Sequence, residues 1–92
     1  MGETNELSDF LGAMVVIDTD SSFVYFGRLE RAGKDFLELI DADVHDASQS
    51  HATKELYAIQ TRKFGPRTNR RRVLVKKSRI VSVSRLDEVI EY

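Results

Sequence analysis

The sequence predicts a mainly β fold: a small, strongly bent, five-stranded antiparallel barrel with a short N-terminal helix, a helical insertion between strands three and four, and a short C-terminal helix. Three observations lead there. A strand, a polar turn and a second strand run from Gly12 to Leu29, with small or apolar residues at Val15, Ile17, Gly27 and Leu29 on either side of the turn 18–22. Gly27 interrupts a stretch rich in Phe, Val and Tyr. A glycine there weakens a strand unless the backbone must bend or approach another segment closely, and bending of short antiparallel strands curls a small sheet into a barrel. Helical spacing, finally, is confined to segments near residues 7–11, 52–64 and 86–90.

Taken in order, Leu7, Phe10 and Leu11 stand at i, i+3 and i+4, with Thr4 or Asn5 to cap them, which predicts the first helix. Residues 13–18 read as the first strand and 22–32 as the second. The turn Asp18-Thr19-Asp20-Ser21-Ser22 between them is rich in side chains that hydrogen-bond their own backbone. After a turn at 32–35, residues 36–44 form a third strand in which Leu37 and Leu39 are the buried pair. The small polar run His45-Asp46-Ala47-Ser48-Gln49-Ser50-His51 is a loop that opens an insertion spanning 45–70. Within it, Ala52, Leu56, Ile59 and Lys63-Phe64 mark a helical stripe, capped by Thr53 and stopped by Gly65-Pro66. Leu56-Tyr57-Ala58-Ile59 also suits a strand, and the helix is preferred. Residues 73–75 and 80–84 are two short strands joined by 76–79. Ser84-Arg85-Leu86-Asp87 has the form of a capping box ahead of Leu86, Val89 and Ile90, which predicts the last helix.

The 92 residues make one domain, 1–92, of a size that buries about 60–65% of its unfolded surface and often gains stability by oligomerising. There is no cysteine, which excludes disulfides and thiolate metal sites and suits a reducing cytoplasm. No apolar run approaches the roughly 20 residues of a membrane helix, and the start Met1-Gly2-Glu3 lacks a basic signal region. A cytoplasmic protein is expected. The net charge of −1 conceals an asymmetry: residues 1–52 carry 11 acidic and 3 basic side chains, residues 53–92 carry 4 and 11. Such a division serves an anionic ligand, head-to-tail packing of identical subunits, or local neutralisation within one barrel.

The segment from Gly12 to Leu29 resembles the first motif of Sm and Sm-like (LSm) proteins, in which Gly12, Val15, Ile17, Gly27 and Leu29 hold the expected spacing. Residues 73–81, Val-Leu-Val-Lys-Lys-Ser-Arg-Ile-Val, resemble the second, an apolar strand, an Arg-Gly turn and another apolar strand. The resemblance covers 7–44 and 71–85 and implies a small barrel of the Sm-like or SH3-like kind. It also implies homo-oligomeric rings joined edge to edge through the fourth and fifth strands, and binding of single-stranded RNA at uridines. The chain departs from the family at the uridine pocket. Counted without gaps, Gly33 stands where the family has Asp and Leu37 where it has Asn; a turn one residue shorter puts Phe36 at the Asn position. The Arg-Gly turn has become Lys76-Lys77, which keeps charge and loses the planar guanidinium that stacks on bases.

The basic run Arg67, Arg70, Arg71, Arg72, Lys76, Lys77 and Arg79 is the strongest functional candidate, because cations at this density neutralise several phosphates. Thr68 and Asn69 offer phosphate hydrogen bonds, and Phe36 a stacking face or a core side chain. The same run also reads as a solvated sheet edge or as a surface facing a neighbour's acidic half. Asp41, Asp43 and His45, with Asp46 and His51 nearby, fall at alternating positions, but without the glycine and terminal glutamate of a calcium loop. No metal or other cofactor is expected. There is no phosphate loop and no nucleophile motif, so catalysis is not expected. Two classes of function remain: an Sm-like ring that binds RNA or scaffolds RNA metabolism, and a small-barrel module that binds protein through 45–70.

Overall fold

The computed structural model describes residues 6–91. Five strands, β1 (Met14–Thr19), β2 (Phe23–Ala32), β3 (Phe36–Asp46), β4 (Arg70–Lys76) and β5 (Ile80–Arg85), form one antiparallel sheet in the order β4-β3-β2-β1-β5. One helix, α1 (Lys54–Phe64), lies between β3 and β4. The sheet bends until its ends share a core. Val15, Ile17, Leu29, Leu37, Leu39 and Val75 pack together, with Val73 of β4 and Ile80 and Val83 of β5 against the same cluster. Among the described residues no ladder joins β4 to β5, so both remain edges. No described helix is long and apolar enough to cross a membrane.

The glycine inside β2 has the close-approach role its sequence context suggests. Phe26 pairs with Asp43 and Arg28 with Ile40, so Gly27 faces two residues, Asp41 and Ala42, across a bulge. Asp41 sits at φ +50°, and a Cβ on Gly27 would come within 3.2 Å of Ala42 Cα and Ile40 O. The bulge reverses the alternation of β3. Leu37 and Leu39 point into the barrel before it, as expected; Asp43 and His45 after it lie on the outer face with Val24 and Phe26, their β2 partners. Asp41, Asp43 and His45 therefore do not share one face.

α1 covers that outer face, so β1 is buried on both sides: Val15 and Ile17 inward, Val16 outward beneath Ala58 and Leu86. Thr53 Oγ1 accepts from the Leu56 N–H as N-cap, and Gly65, at φ +85°, ends the helix by donating its N–H to Thr61 O at 2.8 Å. Lys54 Nζ ties the start of α1 to the β1–β2 turn through Asp18 Oδ1 (2.6 Å), Thr19 O and Ser21 O. The rotation of the helix differs from the expected stripe. Tyr57, Ala58 and Thr61 face the sheet, whereas Leu56 is 46% and Phe64 82% exposed. The cause lies beneath the helix: Asp43 is buried and takes a hydroxyl donor from Tyr57, whose ring also covers His45, while His45 Nε2 reaches Ala52 O at 3.4 Å. The Tyr57 hydroxyl donates to Asp43 Oδ2 at 2.8 Å, and its ring stacks on His45 at 3.7 Å and packs on Phe26 at 5.4 Å.

The flanking segments are tighter than the spacing suggests. The first helix is a five-residue 3-10 turn, Glu6–Phe10, that sets Leu7 and Phe10 on the core while Leu11 is exposed; its expected caps Thr4 and Asn5 lie outside the described residues. Leu86–Glu88 is also a 3-10 turn rather than a helix, because Ser84, the expected cap, belongs to β5 opposite Val16. β3 and β4 extend into the segment expected as insertion, for His45 and Asp46 stay in β3 and Arg70 pairs with Ala42; β4 also starts three residues before the expected Val73.

Candidate nucleic-acid interface

The basic run does not form one patch. β4 is extended, so Arg70 and Lys76 stand at opposite ends, roughly 20 Å apart for six residue steps of about 3.3 Å. At the C-terminal end of β4, Lys34, Asp35, Phe36, Lys76, Lys77 and Ser78 line a cleft between the β2–β3 turn and the 3-10 turn Lys77–Arg79. Phe36 is opposite Lys76 in the ladder and 41% exposed, so the ring is a partly open face beside cations rather than a core side chain. Lys77 holds the two turns together: its N–H donates to Asp35 O at 2.8 Å and its Nζ to Gly33 O at 2.9 Å. Lys34 belongs to this cleft and was not evident from sequence; it is a single turn lysine 42 positions before Lys76.

Arg79 turns away from the cleft and pairs with Asp20 at 2.9 Å in the β1–β2 turn. Arg72, opposite Ile40 in the ladder, reaches diagonally to Glu38, which also accepts from Arg31 at 3.1 Å. The Arg72 guanidinium first, and Arg31 second, hold the Glu38 carboxyl below the usual carboxylate range. A depressed carboxyl contributes stability that is full above its unfolded value, near 4.3, and is lost as pH falls through the lower folded value. The Glu38 carboxyl carbon should therefore titrate below the usual glutamate range by NMR, and Arg72→Gln should raise it. A Glu38 titration unmoved by Arg72→Gln would show that the pair does not persist in solution.

The N-terminal end of β4 gathers Arg67, Arg70 and Arg71. Arg70 Nη1 reaches only the Asn69 carbonyl, and neither Arg67 nor Arg71 forms an ion pair among the described residues. Thr68 and Asn69 are engaged in the fold and not with solvent-side phosphates: Thr68 Oγ1 donates to Asp41 O, and the Asn69 amide exchanges two 3.0 Å bonds with the Val44 backbone. Beside them Asp43, Tyr57, Gln60, Thr61, Phe64, Gly65 and Arg67 line a second cleft. Burial, then the bond to Asp43, pushes the Tyr57 hydroxyl up to about 12. Of the acidic and histidine positions weighed for a metal, Asp46 instead caps the 3-10 turn Ala47–Gln49 and accepts from Ser22 and Ser48. No three His, Asp or Glu side chains come together among the described residues.

The architecture has counterparts among solved structures. The Sm protein of Pyrococcus abyssii, solved in complex with a uridine heptamer, superposes with a TM-score of 0.59 over 89% of this chain and 99% of its own, at 14% identity. The fold is Sm-like. A chain of the NatC complex, in its crystal structure bound to CoA, superposes with a TM-score of 0.56 over 95% of this chain and 91% of that one, at 16% identity. Neither a protein-family model nor a curated protein sequence matches the chain.

Proposed function

We propose that this Sm-like barrel is a non-enzymatic, cytoplasmic RNA-binding or scaffolding subunit that assembles into a homo-oligomeric ring, one domain per subunit. The observation that carries the reading is the cleft at Phe36, Lys76 and Lys77 placed at the end of an unpaired edge strand. Edges that pair heterologously close a ring when the rotation allows, and a ring repeats the cleft around one face. Leu74 on β4 and Val81 on β5 are exposed large apolar residues on those edges. The uridine-bound Sm structure supports RNA as the ligand class. The exposed Leu56 and Phe64 on α1 favour, as a second reading, a module that docks protein through the 45–70 segment.

The native mass of nuclease-treated protein tests the ring. Several subunits per particle are expected, and Val81→Lys, a charge on an edge, is expected to leave a folded monomer. A wild-type monomer at low and high salt overturns the ring. For RNA, Phe36→Ala should weaken binding of a short single strand, and Lys76→Gln should reduce the salt slope by about 0.7 for one lost phosphate contact.

A further inference from the structure

The cleft at the N-terminal end of β4 combines a buried carboxylate, an exposed ring and an arginine. Its floor is Asp43, 2% exposed, whose two hydrogen bonds, from the Tyr57 hydroxyl at 2.8 Å and the Arg67 N–H at 3.0 Å, both fall on Oδ2. Neither bond uses Oδ1. At the rim stands Phe64, 82% exposed at the last position of α1, immediately before the helix-ending Gly65. Leaving a phenylalanine in water forgoes the favourable burial of a large apolar side chain, and an isolated exposed ring beside a concave polar site is the form of a stacking platform. The Gln60 amide on the wall offers a donor and an acceptor. The cleft, about 240 Å³, is smaller than pockets for drug-sized ligands, which begin near 300 Å³. Arg67 lines it, and Arg70 and Arg71 follow on the adjoining strand.

We propose that this cleft binds one nucleotide of single-stranded RNA, with Phe64 stacked on the base, Asp43 Oδ1 accepting from an exocyclic amine of that base, and Arg67 on a flanking phosphate. The proposal rests on the RNA-binding reading above and places a second contact on the strand about 20 Å from Phe36, across the length of β4. The chemistry sets a preference. A carboxylate only accepts; adenine, cytosine and guanine carry an exocyclic amine, whereas uracil offers only its N3–H, held between two carbonyls whose lone pairs a carboxylate repels. The Asp43 site therefore selects amine-bearing bases and leaves uridines to the Phe36 cleft.

The test is fluorescence anisotropy of the wild-type chain, Phe64→Ala, Arg67→Gln and Phe36→Ala with short labelled oligo(A) and oligo(U). Phe64 is exposed, so its removal leaves the fold intact, which circular dichroism checks. Loss of one stacked base weakens binding by about 5- to 100-fold; Phe64→Ala should show this for oligo(A) and stay within about twofold for oligo(U). Arg67→Gln should lower the oligo(A) salt slope by about 0.7. If Phe36→Ala weakens RNA binding while Phe64→Ala leaves oligo(A) unchanged, the second site is wrong and the RNA-binding reading stands. An equal loss on both homopolymers overturns the role of Asp43. If the wild-type chain binds neither homopolymer at low salt, both readings fail.

Discussion

Replacing Tyr57 by alanine is expected to cost about 3 kcal/mol of stability and to lower the melting temperature by about 15 °C. The half-buried ring stacks on His45 and packs on Phe26, and its hydroxyl is one of two donors to a carboxylate that is 2% exposed. The alanine variant removes all three contacts and leaves Asp43 with the Arg67 N–H alone. Tyr57→Phe keeps the ring and removes the donor, so about 1–2 kcal/mol is expected from the under-satisfied carboxylate. Leu56→Ala, one residue away but on the exposed side, should stay within about 0.5 kcal/mol. The three variants together decide which face holds the helix: equal losses for Leu56→Ala and Tyr57→Ala would contradict the observed rotation. The hydroxyl supplies an independent readout. Its value is raised from about 10 to about 12, so the protonated form is favoured in the fold; the stabilisation is complete below pH 10 and is lost as pH rises toward 12. An ultraviolet titration should find one tyrosine ionising late, and Asp43→Asn should advance it.

Local chemistry made much of the fold legible. Val15, Ile17, Leu37 and Leu39 stand at alternate positions of their strands and are in the barrel core; Thr53 and Gly65 bound the helix because a hydroxyl N-cap and a positive-φ residue act within one turn. What stayed hidden was set at a distance. The face of α1 follows from Asp43 and His45, up to 14 residues earlier, and a periodicity count ranks Leu56 and Phe64 above Tyr57 without knowing that two polar side chains wait beneath. Likewise Arg72 looks equivalent to Arg71 until the β3–β4 register sets it opposite Ile40, one diagonal step from Glu38 on the same face. The basic residues from 67 to 79 are continuous in sequence, but an extended strand carries them to two ends of the molecule. Only Lys76, Lys77 and Phe36 meet in one cleft, while Arg67, Arg70 and Arg71 gather at the other end. The bulge had a partial signal in Gly27; its other half, Asp41 at φ +50°, carries no glycine to announce it.

Gly27→Val is expected to cost about 3 kcal/mol, measured by urea unfolding, at the upper end for an overpacked site. The first carbon of any side chain there meets Ala42 Cα, Ala42 Cβ and Ile40 O, each at 3.2 Å. Two of these are backbone atoms, so no rotamer change relieves the contact and β3 itself must yield. The segment that yields is the bulge, where two residues oppose Gly27 and Asp41 already occupies a disfavoured conformation. Asp41→Gly, which relaxes that conformation without touching the contact, should be neutral or stabilising by up to about 1 kcal/mol. The larger consequence is one of register. Removing the extra residue from the ladder turns every later side chain of β3 to the opposite face, which would direct Asp43 and His45 into the apolar barrel and take Tyr57 from its partners. The Gly27→Val chain should therefore lose hydrogen-exchange protection in α1 well before the strands, and with it the cleft floored by Asp43. Leu37 and Leu39 precede the bulge, so the Phe36 end should keep its geometry and its RNA contact. A valine variant with wild-type stability and a protected α1 would mean that the bulge, and not the glycine, fixes where Asp43 points.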